Sequence, residues 1–268
     1  MATGVQAIVD GYKDFMATKS DPRTSEWFLM SGPAPLVTIL VSYLYFSTTA
    51  GPRYMKDRKP YQLKHVLMVY NLFQVVFSIW LVGEGLQAGW LNHYSYKCQP
   101  VDYSDNPLAM RMARACWWYF MCKIVELLDT VFFVLRKKNR QISYLHLWHH
   151  TMMPICAWIG TKFLAGGHGT LLGLINTFVH VIMYTYYLLA ALGPQYQKYL
   201  WWKKYLTTLQ MIQFVIVFLH NAQLLVYECN YPKTIVVLLT INALYFLYLF
   251  GAFYYRTYVL KKDNTKNE

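Results

Sequence analysis

The chain has 268 residues, 56% of them hydrophobic and 14% charged. A soluble domain usually carries about 25% charged residues, so this composition excludes an ordinary soluble protein and points to an integral membrane protein. The formal charge of +12 is gathered in short connections, and no nucleic-acid partner is expected from it.

Residues 1–30 place Tyr12, Phe15, Trp27 and Phe28 among charges, which suits a segment resting at a membrane–water interface. They lack a basic stretch followed by an apolar one, so no cleavable signal peptide is expected. A spanning helix needs roughly 20 predominantly apolar residues. Such runs lie near 31–50, 65–88, 114–135, 142–162, 170–191, 205–227 and 234–257. The expectation is an all-α integral membrane protein with seven transmembrane helices. It reads as one domain over 1–268, with an N-terminal segment 1–30, a seven-helix core 31–258 and a tail 259–268. Span one is apolar and is expected to be peripheral, with one side toward lipid.

Basic residues crowd alternate connections. Arg53, Lys56, Arg58, Lys59 and Lys64 follow span one; Arg136, Lys137, Lys138 and Arg140 follow span three. Lys198, Lys203 and Lys204 precede span six, and Arg256, Lys261 and Lys262 follow span seven. The positive-inside rule makes these ends cytosolic and the N-terminus lumenal. Segments 89–113, 163–169 and 228–233 then share the lumenal side. Cys98 and Cys229 both fall there, where disulfides form, and a Cys98–Cys229 bridge is expected. Cys116, Cys122 and Cys156 read as small apolar fillers within spans.

Polar groups interrupt the apolar runs in an ordered way. Span two holds Asn71 and Gln74. Span three holds Lys123, Glu126 and Asp129, with Thr130 next. Such groups are costly in a bilayer, about 2.5–3.5 kcal/mol for a central Lys or Asp, and face other protein. Lys123 and Glu126, one turn apart, are expected to neutralise each other, and a histidine of span four is the expected partner of Asp129. Span four opens with His146-x-x-His149-His150, three imidazoles on one helix face. Span five adds Asn176, His180 and Tyr184 at four-residue intervals, with Tyr187 on the flank. Span six adds Thr207, Gln210, Gln213 and His220. With spans alternating in direction, most of these groups converge on the cytosolic half of the membrane, while the lumenal halves are almost wholly apolar. That pattern fits a polar reaction centre with an apolar cavity beyond it, suited to an amphiphile with a polar head and a long hydrocarbon tail.

Histidine boxes of this form also occur in membrane di-iron desaturases and hydroxylases. Those enzymes use about eight or more histidines as ligands to iron. This chain has 8 in all, with His65, His93 and His168 at span ends or in loops, so no metal is expected. Acyl transfer is the other chemistry open to imidazole, as nucleophile, base or acid. Amides and Tyr184 could donate to a developing oxyanion. The basic turns Arg136, Lys137, Lys138, Arg140, Lys203 and Lys204 suit the phosphates of a CoA thioester, although topology alone also accounts for them. A non-enzymatic seven-span receptor or channel would not gather acid, amide and histidine at one depth.

Four motifs together resemble the ELO family, the elongases of very-long-chain fatty acids. They are Lys123-x-x-Glu126-x-x-Asp129-Thr130, the His146–His150 box, His180-x-x-Met183-Tyr184-x-Tyr186-Tyr187 and Thr207-x-x-Gln210-x-x-Gln213. The resemblance covers essentially the whole chain. Leu-Arg-Lys-Lys-Asn at 135–139 and Gln197–Tyr205 are similar to the animal elongases one and seven. The resemblance implies seven spans, six of them arranged as two three-helix units in a ring around an acyl-CoA tunnel closed at the lumenal end. It implies condensation of a long-chain acyl-CoA with malonyl-CoA in the endoplasmic reticulum membrane, with no cofactor. It implies that the chain associates with itself or with other enzymes of the elongation cycle. Carried onto this sequence, it implies His149 as acyl acceptor and His180 assisting the decarboxylative attack. His146 and His150 would orient or relay protons, and Lys123, Glu126 and Asp129 would support them. Asn71, Gln74, Asn176, Tyr184, Tyr187, Gln210 and Gln213 would contact substrate. A dilysine retrieval signal would place lysines near the C-terminus, where only Lys266 stands in a matching place.

Overall fold

The structure, a computed structural model, describes residues 2–260; Lys261, Lys262 and Lys266 of the expected tail lie outside the described residues. Among the described residues every regular element is helical. We label them α1 (Ala2–Lys19), α2 (Ala34–Met55), α3 (Lys64–Trp90), α4 (Pro107–Val125), α5 (Leu128–Leu135), α6 (Tyr144–Phe163), α7 (Thr170–Leu192), α8 (Lys203–Val226) and α9 (Lys233–Val259). Five of them, α2, α3, α7, α8 and α9, are long and apolar enough to cross a membrane, the mark of a multi-pass membrane protein.

The expected spans three and four are helical as well, but polar side chains lower their hydropathy. Arg111, Arg114 and Lys123 fall on α4, Glu126 between α4 and α5, and Asp129 on α5, while the three box histidines and Lys162 fall on α6. Span three also departs from a continuous rod. It starts earlier than expected, at Pro107 behind an Asn106 cap, and breaks between Val125 and Leu128. At the break the backbone tightens to i→i−3 bonds, Leu127 N to Ile124 O (3.2 Å) and Asp129 N to Glu126 O (3.1 Å). Such tight turns inside a helix often mark functional positions, and this one lies within the charged motif.

The most extensive helix contacts pair α3 with α7, α8 with α9, and α4 with α6. Further contacts join α3 to α4, α7 to α8 and α6 to α9, while α2 rests on α5 and α6. The connections 56–63, 136–143 and 193–202 lie at one end. Two of them meet where Tyr61 N donates to Leu135 O (3.0 Å) and Lys137 Nζ to Lys56 O (3.1 Å). At the other end Arg23 ties three segments together, binding Asp21 (2.6 Å), Asp102 O (2.6 Å) and Ala165 O (3.1 Å). A disulfide joins Cys98 to Cys229 at that same end, between the α3–α4 and α8–α9 connections.

Helix α1 had no counterpart among the expected elements. Its apolar residues Val5, Ile8, Val9, Tyr12 and Phe15 recur at helical spacing and are exposed, and Phe15 packs on Phe163 of α6 at 5.5 Å between ring centroids.

Candidate active site

The α4–α5 break presents three ionisable side chains to the interior. Lys123 and Glu126 are each 2% exposed and bond at 2.8 and 2.9 Å through both carboxylate oxygens. A buried charge is tolerable only with a partner and further hydrogen bonds, and Glu126 has both. His180 Nδ1 of α7 donates to Glu126 Oε1 at 3.0 Å. Cys122 Sγ donates to the same oxygen at 3.4 Å and reaches Gln74 Oε1 at 3.6 Å. Cys122 is therefore not the inert filler expected, because its position one turn before Glu126 turns it into the polar cluster. With Nδ1 bound to the carboxylate, His180 keeps Nε2 as its lone-pair nitrogen.

The histidine of span four expected beside Asp129 is not its partner. Asp129 Oδ2 accepts from Tyr184 Oη at 2.8 Å, and the carboxylate paired to an imidazole is Glu126, through span five. The tight turn separates the two carboxylates and aims each at α7. Tyr184 is wholly buried and its hydroxyl proton is engaged by Asp129, so it is not the free oxyanion donor anticipated.

The box occupies the first turns of α6, whose N-terminus is capped by Ser143 Oγ accepting from His146 N (3.2 Å). His146 Nε2 lies 2.7 Å from Thr130 Oγ1, and Thr130 Oγ1 lies 2.8 Å from Tyr43 Oη of α2. Tyr43 gives α2 a polar contact that its apolar sequence did not advertise. The ring centroids of His146 and His150 are 4.2 Å apart, and those of His149 and His150 are 5.5 Å apart. His149 packs against Phe246 of α9 at 5.2 Å. Among the described residues neither His149 nor His150 makes a side-chain hydrogen bond, and both are partly accessible. Pro154 lacks the N–H that would bond the His150 carbonyl, which loosens the helix just after the box.

The remaining expected residues divide. Asn71 and Gln74 are buried on α3, and Gln74 Nε2 donates to Tyr70 Oη (3.1 Å). Asn176 Oδ1 accepts from Tyr119 Oη (3.0 Å), and the Tyr119 ring lies under Lys123 Nζ (4.8 Å). Tyr119, a residue no motif singled out, thus joins α7 to the charged cluster. Tyr187 is exposed and meets Tyr184 edge-on. Gln210 and Gln213 stand apart from the Glu126 cluster: Gln210 Nε2 reaches Met183 Sδ at 3.7 Å, and the buried Gln213 Oε1 has no partner among the described residues. Arg136 and Lys137 are half-buried, whereas Lys138, Arg140, Lys203 and Lys204 are exposed at the helix ends.

A cavity of about 480 Å³ runs from beside the box. Trp148, Met152 and Met153, interleaved with or following the histidines, line its start, with Tyr119 and Thr177 near the polar cluster. It reaches Trp90, Leu164, Thr170 and Tyr231 at the far end. Behind Trp90, His168 and His220 stack at 3.7 Å, each Nε2 bonding the other's backbone carbonyl. Separated by 52 residues, this pair carries no signal in the sequence. Among the described residues the site sets two imidazoles without side-chain hydrogen bonds, His149 and His150, beside a buried Lys–Glu–His triad, with an apolar chamber beyond.

The model of the GNS1/SUR4 (ELO) family matches residues 28–266. The chain is 52% identical over 259 residues to a very long chain fatty acid elongase of Aedes aegypti, covering 96% of this chain and 72% of that one. It is 51% identical over 242 residues to very long chain fatty acid elongase 7 of Rattus norvegicus (89% and 86% covered). Against elongase 1 of Homo sapiens the identity is 44% over 260 residues, covering 96% and 93%.

Proposed function

The chain belongs to the GNS1/SUR4 (ELO) family, and from that premise we infer that it is the condensing enzyme of fatty-acid elongation, a very-long-chain 3-oxoacyl-CoA synthase. It joins a long-chain acyl-CoA to malonyl-CoA and releases CO2, CoA and 3-oxoacyl-CoA. The observation that carries the reading is the pairing of unbonded His149 with an apolar cavity of about 480 Å³ starting at its helical neighbours.

The steps follow from the chain's own groups. An imidazole nitrogen of His149 attacks the acyl thioester carbon. The C–S bond breaks, the CoA thiolate leaves and takes up a proton, and an acyl-imidazole remains. Malonyl-CoA then loses CO2, and its enolate carbon attacks the acyl carbon while the C–N bond breaks, restoring His149. His180, its tautomer set by Glu126, has Nε2 free to assist this second attack. His150 packs tilted against His146 and edge-on against His149, and His146 is held by Thr130, so they orient the box and relay protons. Lys123 pairs with Glu126, and Asp129 holds Tyr184. The unused amide N–H groups of Asn176 and the side chain of Asn71 are the donors for the oxyanion. No metal or redox cofactor enters this scheme. Arg136, Lys137, Lys138, Arg140, Lys203 and Lys204 suit the CoA phosphates, Tyr187, Gln210 and Gln74 the parts of the substrate beside them, and Gln213 its acyl chain.

The finer architecture belongs to the same reading. Helix contacts running α3–α4–α6–α9–α8–α7 and back to α3 support six helices in two three-helix units around an acyl-CoA tunnel, with α2 outside. Counting α4–α5 and α6 as spans gives seven. Basic connections at one end and the Cys98–Cys229 bridge at the other support a cytosolic C-terminus and a lumenal N-terminus. The setting is the endoplasmic reticulum membrane with its lipids, as one domain over 1–268, associating with copies of itself or with other elongation enzymes.

The deciding experiment uses purified protein in detergent, long-chain acyl-CoA and carboxyl-labelled malonyl-CoA. Acyl-dependent release of labelled CO2 that His149→Ala abolishes is the expected result. Release surviving that substitution removes His149 as acyl acceptor, and no release by folded protein across several chain lengths overturns the function.

A further inference from the structure

The cavity wall beyond the box is almost wholly apolar, and Asn242 of α9 interrupts it. Its Nδ2 donates to Cys156 Sγ at 3.7 Å, a long contact with a weak acceptor, and among the described residues this is its one side-chain hydrogen bond. Asn242 also borders a recess of about 20 Å³ that opens beside the main cavity. Gln213 faces the same recess; it is 5% exposed, and among the described residues its Oε1 has no partner. Phe246, which lines the recess, also packs on His149 at 5.2 Å between ring centroids. A space of this size admits about one water-sized group. An unpaired buried acceptor costs about 1–3 kcal/mol, so a small donor entering here gains what the resting site lacks.

The position along the channel follows from helix geometry. Cys156 lies seven residues after His149 on α6, roughly 10 Å further along the axis at 1.5 Å per residue. An extended chain advances about 3.6 Å over three bonds, so an acyl chain held at His149 passes Asn242 about eight or nine bonds from its thioester carbon.

We propose that Asn242 and Gln213 form a specificity-determining recess off the acyl channel that accepts a hydroxyl carried mid-chain, about eight or nine bonds from the thioester carbon. The substrate class is a mid-chain hydroxyacyl-CoA, the hydroxyl donating to a carboxamide oxygen that is otherwise unpaired. With an unsubstituted chain a single water fits the same place. The inference rests on the elongase reading above and adds to it a selectivity for one substituent position.

The test compares kcat/KM of the full-length protein for three acyl-CoAs of one length: saturated, hydroxylated at that position, and hydroxylated about four bonds further on. The first hydroxy chain is expected within about threefold of the saturated one. The second is expected about tenfold poorer, its hydroxyl left unpaired against apolar walls. Gln213→Met, which removes the unpaired oxygen at similar shape, should cut the ratio of the first hydroxy chain to the saturated chain about tenfold. Equal use of the two hydroxy isomers, or a ratio that Gln213→Met does not move, overturns the proposal. If the variant does not fold, the comparison of isomers in the unaltered protein decides alone. Absence of turnover with the saturated chain overturns the elongase reading itself, and this inference with it.

Discussion

Glu126 is the residue on which the charged cluster turns, because one carboxylate holds Lys123, His180 and Cys122 at once. Glu126→Gln leaves the Lys123 ammonium buried without its counter-charge, a loss of about 3–5 kcal/mol. Thermal unfolding in detergent should show it, together with near-complete loss of condensation. The pair Lys123→Met, Glu126→Gln should be less destabilised than Glu126→Gln alone, since the orphaned charge is then gone; equal destabilisation would mean that the ion pair is not the element at stake. Tyr184→Phe removes the hydroxyl that satisfies Asp129. About 1–3 kcal/mol of stability should be lost, measurable by the same unfolding assay, because the carboxylate stays buried.

At the scale of the element, two local devices set the box in place. The Ser143 cap fixes where α6 begins, and the tight turn after Val125 fixes which way Glu126 and Asp129 point. Ser143→Ala should cost about 0.5–2 kcal/mol of stability and lower kcat, since His146 lies only three residues inside the cap. An unchanged kcat would show that the first turn of α6 is held by packing and not by its cap. Pro154→Ala restores a backbone N–H to the His150 carbonyl. It should raise or leave unchanged the unfolding temperature while reducing condensation, the signature of a helix straightened at the expense of the site.

For the whole molecule, the far end is held by a bridge across a separation of 131 residues, reinforced by Arg23 and by the stacked His168–His220 pair. Cys98→Ser, or reduction of the native protein, should lower stability by about 2–4 kcal/mol. Condensation at low temperature should survive, because the histidines lie at the other end of the cavity. Loss of activity without loss of stability would mean that the bridge shapes the chamber itself.

Much of this protein is written in its sequence because a bilayer penalises polar groups so heavily. Apolar runs mark the helices, and charged or imidazole side chains within them have few explanations other than a shared interior site. Lys123 with Glu126, one turn apart, needed no fold to be paired. What local spacing cannot supply is any choice among partners on different helices. Asp129 takes Tyr184 and Glu126 takes His180 because a tight turn rotates one carboxylate away from the other. Cys122 joins the cluster, and Tyr43 reaches Thr130, only because helices distant in the chain pack side by side. The sequence by itself determined the helical membrane class and the family, and it named the candidate residues of the site. The pairing of those residues across helices, the lining of the apolar chamber and the recess at Asn242 were decided by tertiary packing, since each depends on side chains meeting across separations that no periodicity records.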